Sequence, residues 1–152
     1  MKKIWLFLGI PLAVGGLATL LAGGMADYGS FAKPPLSPPG WVFPVVWTIL
    51  YLAMGYASYR VYTRGQDAGT VRTGLILYGI QLFFNFLWPI LFFRFDAYLA
   101  AFLVLLILWI FIVATMFQFY KSDERAGDLF IPYLLWVTFA AYLNLGVYLL
   151  NP

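Results

Sequence analysis

The chain has 152 residues, enough for one domain, and it is 64% hydrophobic and only 10% charged, more apolar surface than a soluble fold of this size can cover with a polar shell. A net charge of +3 with scattered basic residues leaves no nucleic-acid footprint. The absence of cysteine excludes disulfides and thiol chemistry, and the absence of histidine removes imidazole catalysis, imidazole–zinc ligation and the common axial haem bond.

The charges that exist sit in clumps. Ile4–Ala26, Pro34–Tyr59, Thr73–Phe93, Ala97–Tyr120 and Leu129–Pro152 carry none, and each run has at least 21 residues. A bilayer-spanning helix needs about 20 apolar residues, whereas strands of a membrane barrel are about half as long and alternate polar with apolar. The runs predict an all-α membrane protein, a five-transmembrane-helix bundle forming one domain over 1–152. Its helices fall near 4–25, 41–63, 72–93, 97–120 and 129–150.

The first helix follows Lys2 and Lys3 and ends near Gly24-Met25-Ala26, which looks like a signal-peptide cleavage site. Its apolar core is longer than the roughly 7–15 residues of a signal sequence, so it reads as a span. Gly9, Ala13, Gly16 and Gly23 form a small-residue stripe along it, read as a surface for close helix packing.

Loop 26–40 leads into "KPPLSPPGWVFPVVWTILY", Lys33 to Tyr51, which holds five of the nine prolines and two of the six tryptophans. Proline fixes φ and keeps its neighbour extended, so this stretch predicts a stiff lid. A proline-rich ligand for a partner's groove is the rival reading. The second helix then offers Trp47 and Tyr51 four residues apart, Ser58 two turns later, and Ala53-x-x-x-Ala57.

The third helix contains "YGIQLFFNFLWPILFF". Gln81, Asn85, Trp88 and Phe92 share one face, and Pro89 cannot donate to the Asn85 carbonyl. Interhelical glue and a ligand-facing wall are both open readings of that face. The fourth helix, rich in Leu and Ile, is expected against lipid or a second subunit. The fifth carries "PYLLWVTFAAYLNL", with Tyr133, Trp136, Ala140 and Asn144 on one face and Pro132 in the first turn, where its missing N–H costs little. Trp5 and Trp41 fit an interfacial belt, while Trp47, Trp88 and Trp136 lie deeper.

Five spans put the termini on opposite sides. Lys2, Lys3, Arg60, Arg64, Arg72, Lys121 and Arg125 fall on one side, and Lys33 and Arg94 on the other. Seven basic residues against two place the N-terminus in the cytoplasm and the lid outside. No strong internal repeat suggests an inverted-repeat transporter.

In these motifs and their order the chain resembles the TspO/MBR family, the tryptophan-rich sensory proteins and translocator (peripheral-type benzodiazepine receptor) proteins. The resemblance implies a five-helix bundle, a homodimer, and a pocket under the first loop that takes porphyrins and other tetrapyrroles, with sterols and isoquinoline or benzodiazepine-type drugs as further ligands. The protein would then serve as sensor, regulator or carrier in a bacterial cell membrane, with porphyrin as ligand rather than cofactor and no metal site of its own. The implied pocket residues are Tyr28, Trp47, Tyr51, Asn85, Trp88, Trp136, Ala140 and Leu143. No catalytic residue is expected unless bound porphyrin is degraded in light, when Trp47 and Trp136 are implicated; a structural subunit of a membrane complex is the third reading. Leu36 stands where the family usually has tryptophan, and no basic residue follows the tyrosine of "GVYLLNP", which departs from the sterol motif of animal members. Leu52, Tyr56 and Arg60 fit a looser sterol pattern. Lys33 and Arg94, the basic residues on the lid side, are expected to meet the propionates of a bound porphyrin.

Overall fold

The computed structural model describes residues 3–23 and 31–151. All the regular structure among them is helical: α1 (Lys3–Leu21), α2 (Val42–Arg64), α3 (Ala68–Pro89), α4 (Tyr98–Ser122), the short α5 (Glu124–Asp128) and α6 (Ile131–Leu150). Five helical segments, Lys3–Leu21, Val42–Arg64, Ala68–Arg94, Tyr98–Ser122 and Glu124–Leu150, are long and apolar enough to span a bilayer. The protein is an integral multi-pass membrane protein.

Each connection has a local cause. Asp67 caps α3, accepting from the Thr70 amide at 2.9 Å and from its hydroxyl at 2.6 Å. Asp123 caps α5 through the Ala126 amide at 3.0 Å. Pro132 sits in the first turn of α6. Pro89 does not stop the third span. The chain runs on through a π-helical turn, Ile90–Arg94, closed by the Phe95 amide on the Ile90 carbonyl at 3.3 Å. Such turns relieve a break in the α-helical ladder.

α4 packs between α3 and α6, and α1 packs against α2 and α3. The sequence expectation for the fourth helix is half right. Leu99, Leu103, Leu106, Ile110 and Phe117 face outward, but Ala101, Leu105, Leu108, Ile112, Thr115 and Phe119 form a fully buried stripe. A helix apolar all round can do both. The small-residue stripe of α1 does not pack within the chain among the described residues. Gly9 and Gly16 have open space around them, and Ala13 is exposed. The buried edge is Pro11, Gly15, Ala18 and, just beyond the helix, Ala22.

One end of the bundle gathers Lys3, which donates to the Tyr62 hydroxyl at 3.0 Å, and a bidentate ion pair. Arg60 Nε and Nη2 reach the two Asp123 oxygens at 2.6 and 3.2 Å. The Arg60 and Asp123 side chains are only 9% and 14% exposed. Arg60 also donates to the Tyr56 hydroxyl at 3.2 Å. The basic member of the loose sterol pattern is therefore already engaged within the fold.

At the other end the described part of the lid is tied to α6. The Asn151 side chain accepts from the Ala32 amide at 3.1 Å and donates to the Ala32 carbonyl at 2.8 Å. The Tyr142 hydroxyl donates to the Pro35 carbonyl at 2.7 Å. Pro34 is buried in the hollow that Gly146 leaves. Leu36, at the tip, has φ 70° and is 83% exposed, a backbone conformation costly for a leucine.

Candidate functional site

A cavity of about 320 Å³ opens among α1, α2 and α3 at the lid end. That is near the lower end of the roughly 300–1,000 Å³ of small-ligand sites. Its walls come from periodic positions on three helices. α2 supplies Phe43, Trp47 and Tyr51, α3 supplies Asn85, Trp88, Pro89 and the following Phe93, and α1 supplies Gly15, Thr19 and Ala22. Gly15 permits a close approach: a Cβ there would overlap the Tyr51 ring.

The aromatic rings form a connected wall. Trp47 lies 5.6 Å from Tyr51, 6.4 Å from Trp88 and 6.2 Å from Tyr133, all within the range of attractive ring contacts. The polar groups behind that wall are mutually satisfied. Tyr51 donates to Asn85 Oδ1 at 2.8 Å, and Asn85 Nδ2 donates to the Tyr133 hydroxyl at 2.7 Å. Tyr133 in turn donates to Gln81 Oε1 at 2.6 Å, and Gln81 Nε2 approaches the Met54 sulfur at 3.9 Å. Gln81, Asn85 and Tyr133 are at most 2% exposed. Such a chain fixes side-chain orientation, because any broken link leaves a buried polar atom unpaired.

Of the residues named from sequence, Trp47, Tyr51, Asn85 and Trp88 converge on this cavity. Ala140 and Leu143 line a second hollow, of about 30 Å³, beneath the lid residues Phe31, Lys33 and Ser37. Phe43 and Trp88 border both spaces. Trp136 faces an open outer groove between α2 and α6. Its ring meets Phe43 edge-on at 5.7 Å, and its indole N–H is buried with no hydrogen-bond partner. Tyr28 lies outside the described residues.

Lys33 donates to the Phe31 carbonyl at 3.1 Å and borders the under-lid hollow. Arg94 donates to the Leu21 carbonyl at 3.2 Å, closing the C-terminus of α1, one residue after the cavity-lining Phe93. Sequence reasoning missed the α1 contribution and Phe43. Small residues lie on several sides of α1, so no periodic signal marked Gly15 and Thr19 as its inward edge.

The cavity can do little by acid–base chemistry. Among its described lining residues, only the Tyr51 phenol is ionisable. Stacking surface with a few fixed donors and acceptors suits binding of a flat, largely apolar molecule.

Comparison with known proteins agrees with this architecture. The chain is 41% identical over 149 residues to a tryptophan-rich protein TspO of Chlorobaculum tepidum, covering 97% of this chain and 94% of that one. It is 41% identical over 154 residues to a tryptophan-rich sensory protein of Cereibacter sphaeroides, covering 99% and 95%. It is 37% identical over 138 residues to the translocator protein of Ovis aries, covering 89% and 82%. Residues 7–150 match the TspO/MBR family as a whole, and the chain belongs to that family.

Proposed function

We propose that this membrane protein binds a porphyrin or related tetrapyrrole in the α1–α2–α3 cavity, as a sensor, regulator or carrier of that ligand. The observation that carries the reading is the joined wall of Trp47, Trp88 and Tyr51 facing a cavity of about 320 Å³, with Asn85 fixed behind it. Fused aromatic rings stack well on indoles, and the apolar wall favours a water-poor ligand. A tetrapyrrole with propionates would turn its carboxylates toward the lid end, where Lys33 and Arg94 lie, and stacking rather than an iron–imidazole bond would hold the ring. Sterols and isoquinoline or benzodiazepine-type drugs are competitors for the same wall.

Metal-free protoporphyrin titrated into the detergent-solubilised protein quenches tryptophan fluorescence saturably, and Trp47→Phe with Trp88→Phe diminishes both quenching and affinity. Quenching that rises linearly without saturation would remove the reading.

The orientation with the N-terminus in the cytoplasm rests on the basic residues, and a bacterial cell membrane is the location proposed. The proposed assembly is a homodimer. The outward Gly9 and Gly16, with open space around them, and the exposed Ala13 would let a second copy approach the α1 backbone closely. Gly9→Leu with Gly16→Leu should then yield monomers in crosslinking.

Light-dependent degradation of the bound porphyrin is a second reading, favoured by the contact between two cavity-lining indoles, Trp47 and Trp88, 6.4 Å apart. Absorbance of bound protoporphyrin would fall under illumination faster than with an unrelated membrane protein, and Trp47→Phe would slow the loss. Equal rates would leave binding alone.

A further inference from the structure

Two spaces that share one indole as a border require an explanation. The cavity among α1, α2 and α3 and the hollow under the lid both end on Phe43 and Trp88. The Trp88 ring also meets Trp47, Phe92 and Phe93, with centroids 6.4, 5.5 and 6.2 Å away. The polar edge of Trp88 is held by a hydrogen bond. Its indole N–H donates to Asn144 Oδ1 at 2.9 Å, and Asn144 Nδ2 donates to the Tyr98 carbonyl at 2.9 Å. Asn144 is 1% exposed and Trp88 is 8% exposed, so water does not stand in when that bond breaks.

We propose that the two spaces are one divided ligand site and that Asn144 is the positioning residue that sets the division and thereby selects ligand size. The proposal extends the tetrapyrrole reading, since it concerns the same site. With the bond intact, the indole stands as a partition and the cavity admits a small flat molecule. A larger ring system must swing Trp88 aside and join the hollow bordered by Ala140 and Leu143. Breaking the Trp88–Asn144 bond is then part of its binding free energy, and a ligand with no need of the second space avoids that cost. The surroundings favour such a movement. Trp88 directly precedes Pro89 and the π-helical turn Ile90–Arg94, where the regular ladder is already interrupted.

The test is a ratio of affinities in the full-length, detergent-solubilised protein. Isoquinoline serves as the small probe and metal-free protoporphyrin as the large one, each titrated by tryptophan fluorescence. Asn144→Leu removes the acceptor and leaves the closed partition with an unpaired buried N–H. It should raise the preference for protoporphyrin over isoquinoline about three- to tenfold, the loss of one buried hydrogen bond. Trp88→Phe removes the donor and should raise the ratio similarly, and the double variant should gain no more than either alone. A general packing defect would weaken both probes and leave the ratio in place.

A ratio within twofold of the wild type in both single variants, or additive effects in the double, would overturn the proposal. If Asn144→Leu does not fold, Asn144→Val, which also removes the acceptor and leaves the indole in place, decides by the same criterion. If the wild type binds isoquinoline but not protoporphyrin, the tetrapyrrole reading falls. The partition is then judged on 1-phenylisoquinoline as the large probe. If protoporphyrin binds and the ratio does not move, the partition falls and the tetrapyrrole reading stands.

Discussion

Pro34 of the lid fills the hollow left by Gly146 on α6, and a Cβ at 146 would overlap the proline ring. The contact joins the hydrogen bonds from Asn151 to Ala32 and from Tyr142 to Pro35 in fastening the lid to α6. Four prolines at positions 34, 35, 38 and 39 limit the entropy lost when the lid is held in place.

Gly146→Ala tests that fastening. In an unobstructed helix the change would stabilise by up to about 1 kcal/mol. Here the overlap should reverse the sign and cost about 1–3 kcal/mol, the usual range for overpacking. The expected result is faster release of bound protoporphyrin in stopped-flow fluorescence, with Asn151→Ala giving a smaller effect in the same direction. Unaltered release rates in both would show that the lid does not control exit.

Asn85 joins Tyr51 to Tyr133 and, through it, to Gln81. Asn85→Leu keeps the volume, strands the buried Tyr51 phenol and takes from the Tyr133 oxygen its donor, leaving only the bond to Gln81. It should destabilise the solubilised protein by about 1–3 kcal/mol, seen as a lower Tm in thermal unfolding. Tyr133→Phe should couple with it, the double variant losing less than the sum. Additive losses would mean that the groups act independently.

The Arg60–Asp123 pair predicts a pH dependence. Hydrogen bonding from Arg60 holds the Asp123 carboxyl below its ordinary value. A depressed carboxylate contributes stability above the unfolded-state value of about 3.9 and loses it as pH falls through the folded value. Asp123→Asn, which can still cap α5, should lower stability by about 1–3 kcal/mol at pH 7, between exposed and fully buried pairs. The gap to wild type should narrow as pH falls below about 3.9 and close once pH passes the depressed folded value. A gap that persists undiminished at pH 3 would mean that charge is not its source.

Much of the fold was legible because charge-free runs of bilayer length leave few alternatives, and the Gln81–Asn85–Trp88–Phe92 face is indeed buried on one side of the third span. The inward side of α1 was not legible. In a helix apolar all round, Gly9, Ala13 and Gly16 look as suited to packing as Pro11, Gly15 and Ala18, and only the Tyr51 ring distinguishes Gly15. The Arg60–Asp123 pair joins positions 63 residues apart, a separation that periodicity cannot bridge. Trp136 shares a helical face with Tyr133 and Ala140 in projection, yet its ring leans toward Phe43 and the α2–α6 groove. Side-chain direction, not register, makes that difference.

The basic residues at the lid end carry a further prediction. Lys33→Ala with Arg94→Ala should weaken protoporphyrin binding by about 0.5–2 kcal/mol, the range for partly exposed charge-assisted bonds, with the loss shrinking at high salt. Haem should bind about as tightly as the metal-free ring. A more than hundredfold preference for haem would reveal an iron ligand among the side chains.

The most direct test of the central claim fills the cavity from α1. Ala22 is 5% exposed and lines the same space as Trp47 and Trp88, from the end of α1. Ala22→Phe should place a ring where the ligand lies. In a protoporphyrin titration at matched protein folding, judged by Tm, the account predicts at least a tenfold weaker affinity, the loss of about 1.4 kcal/mol of contact. Wild-type affinity in the folded Ala22→Phe protein would contradict it and put the tetrapyrrole elsewhere.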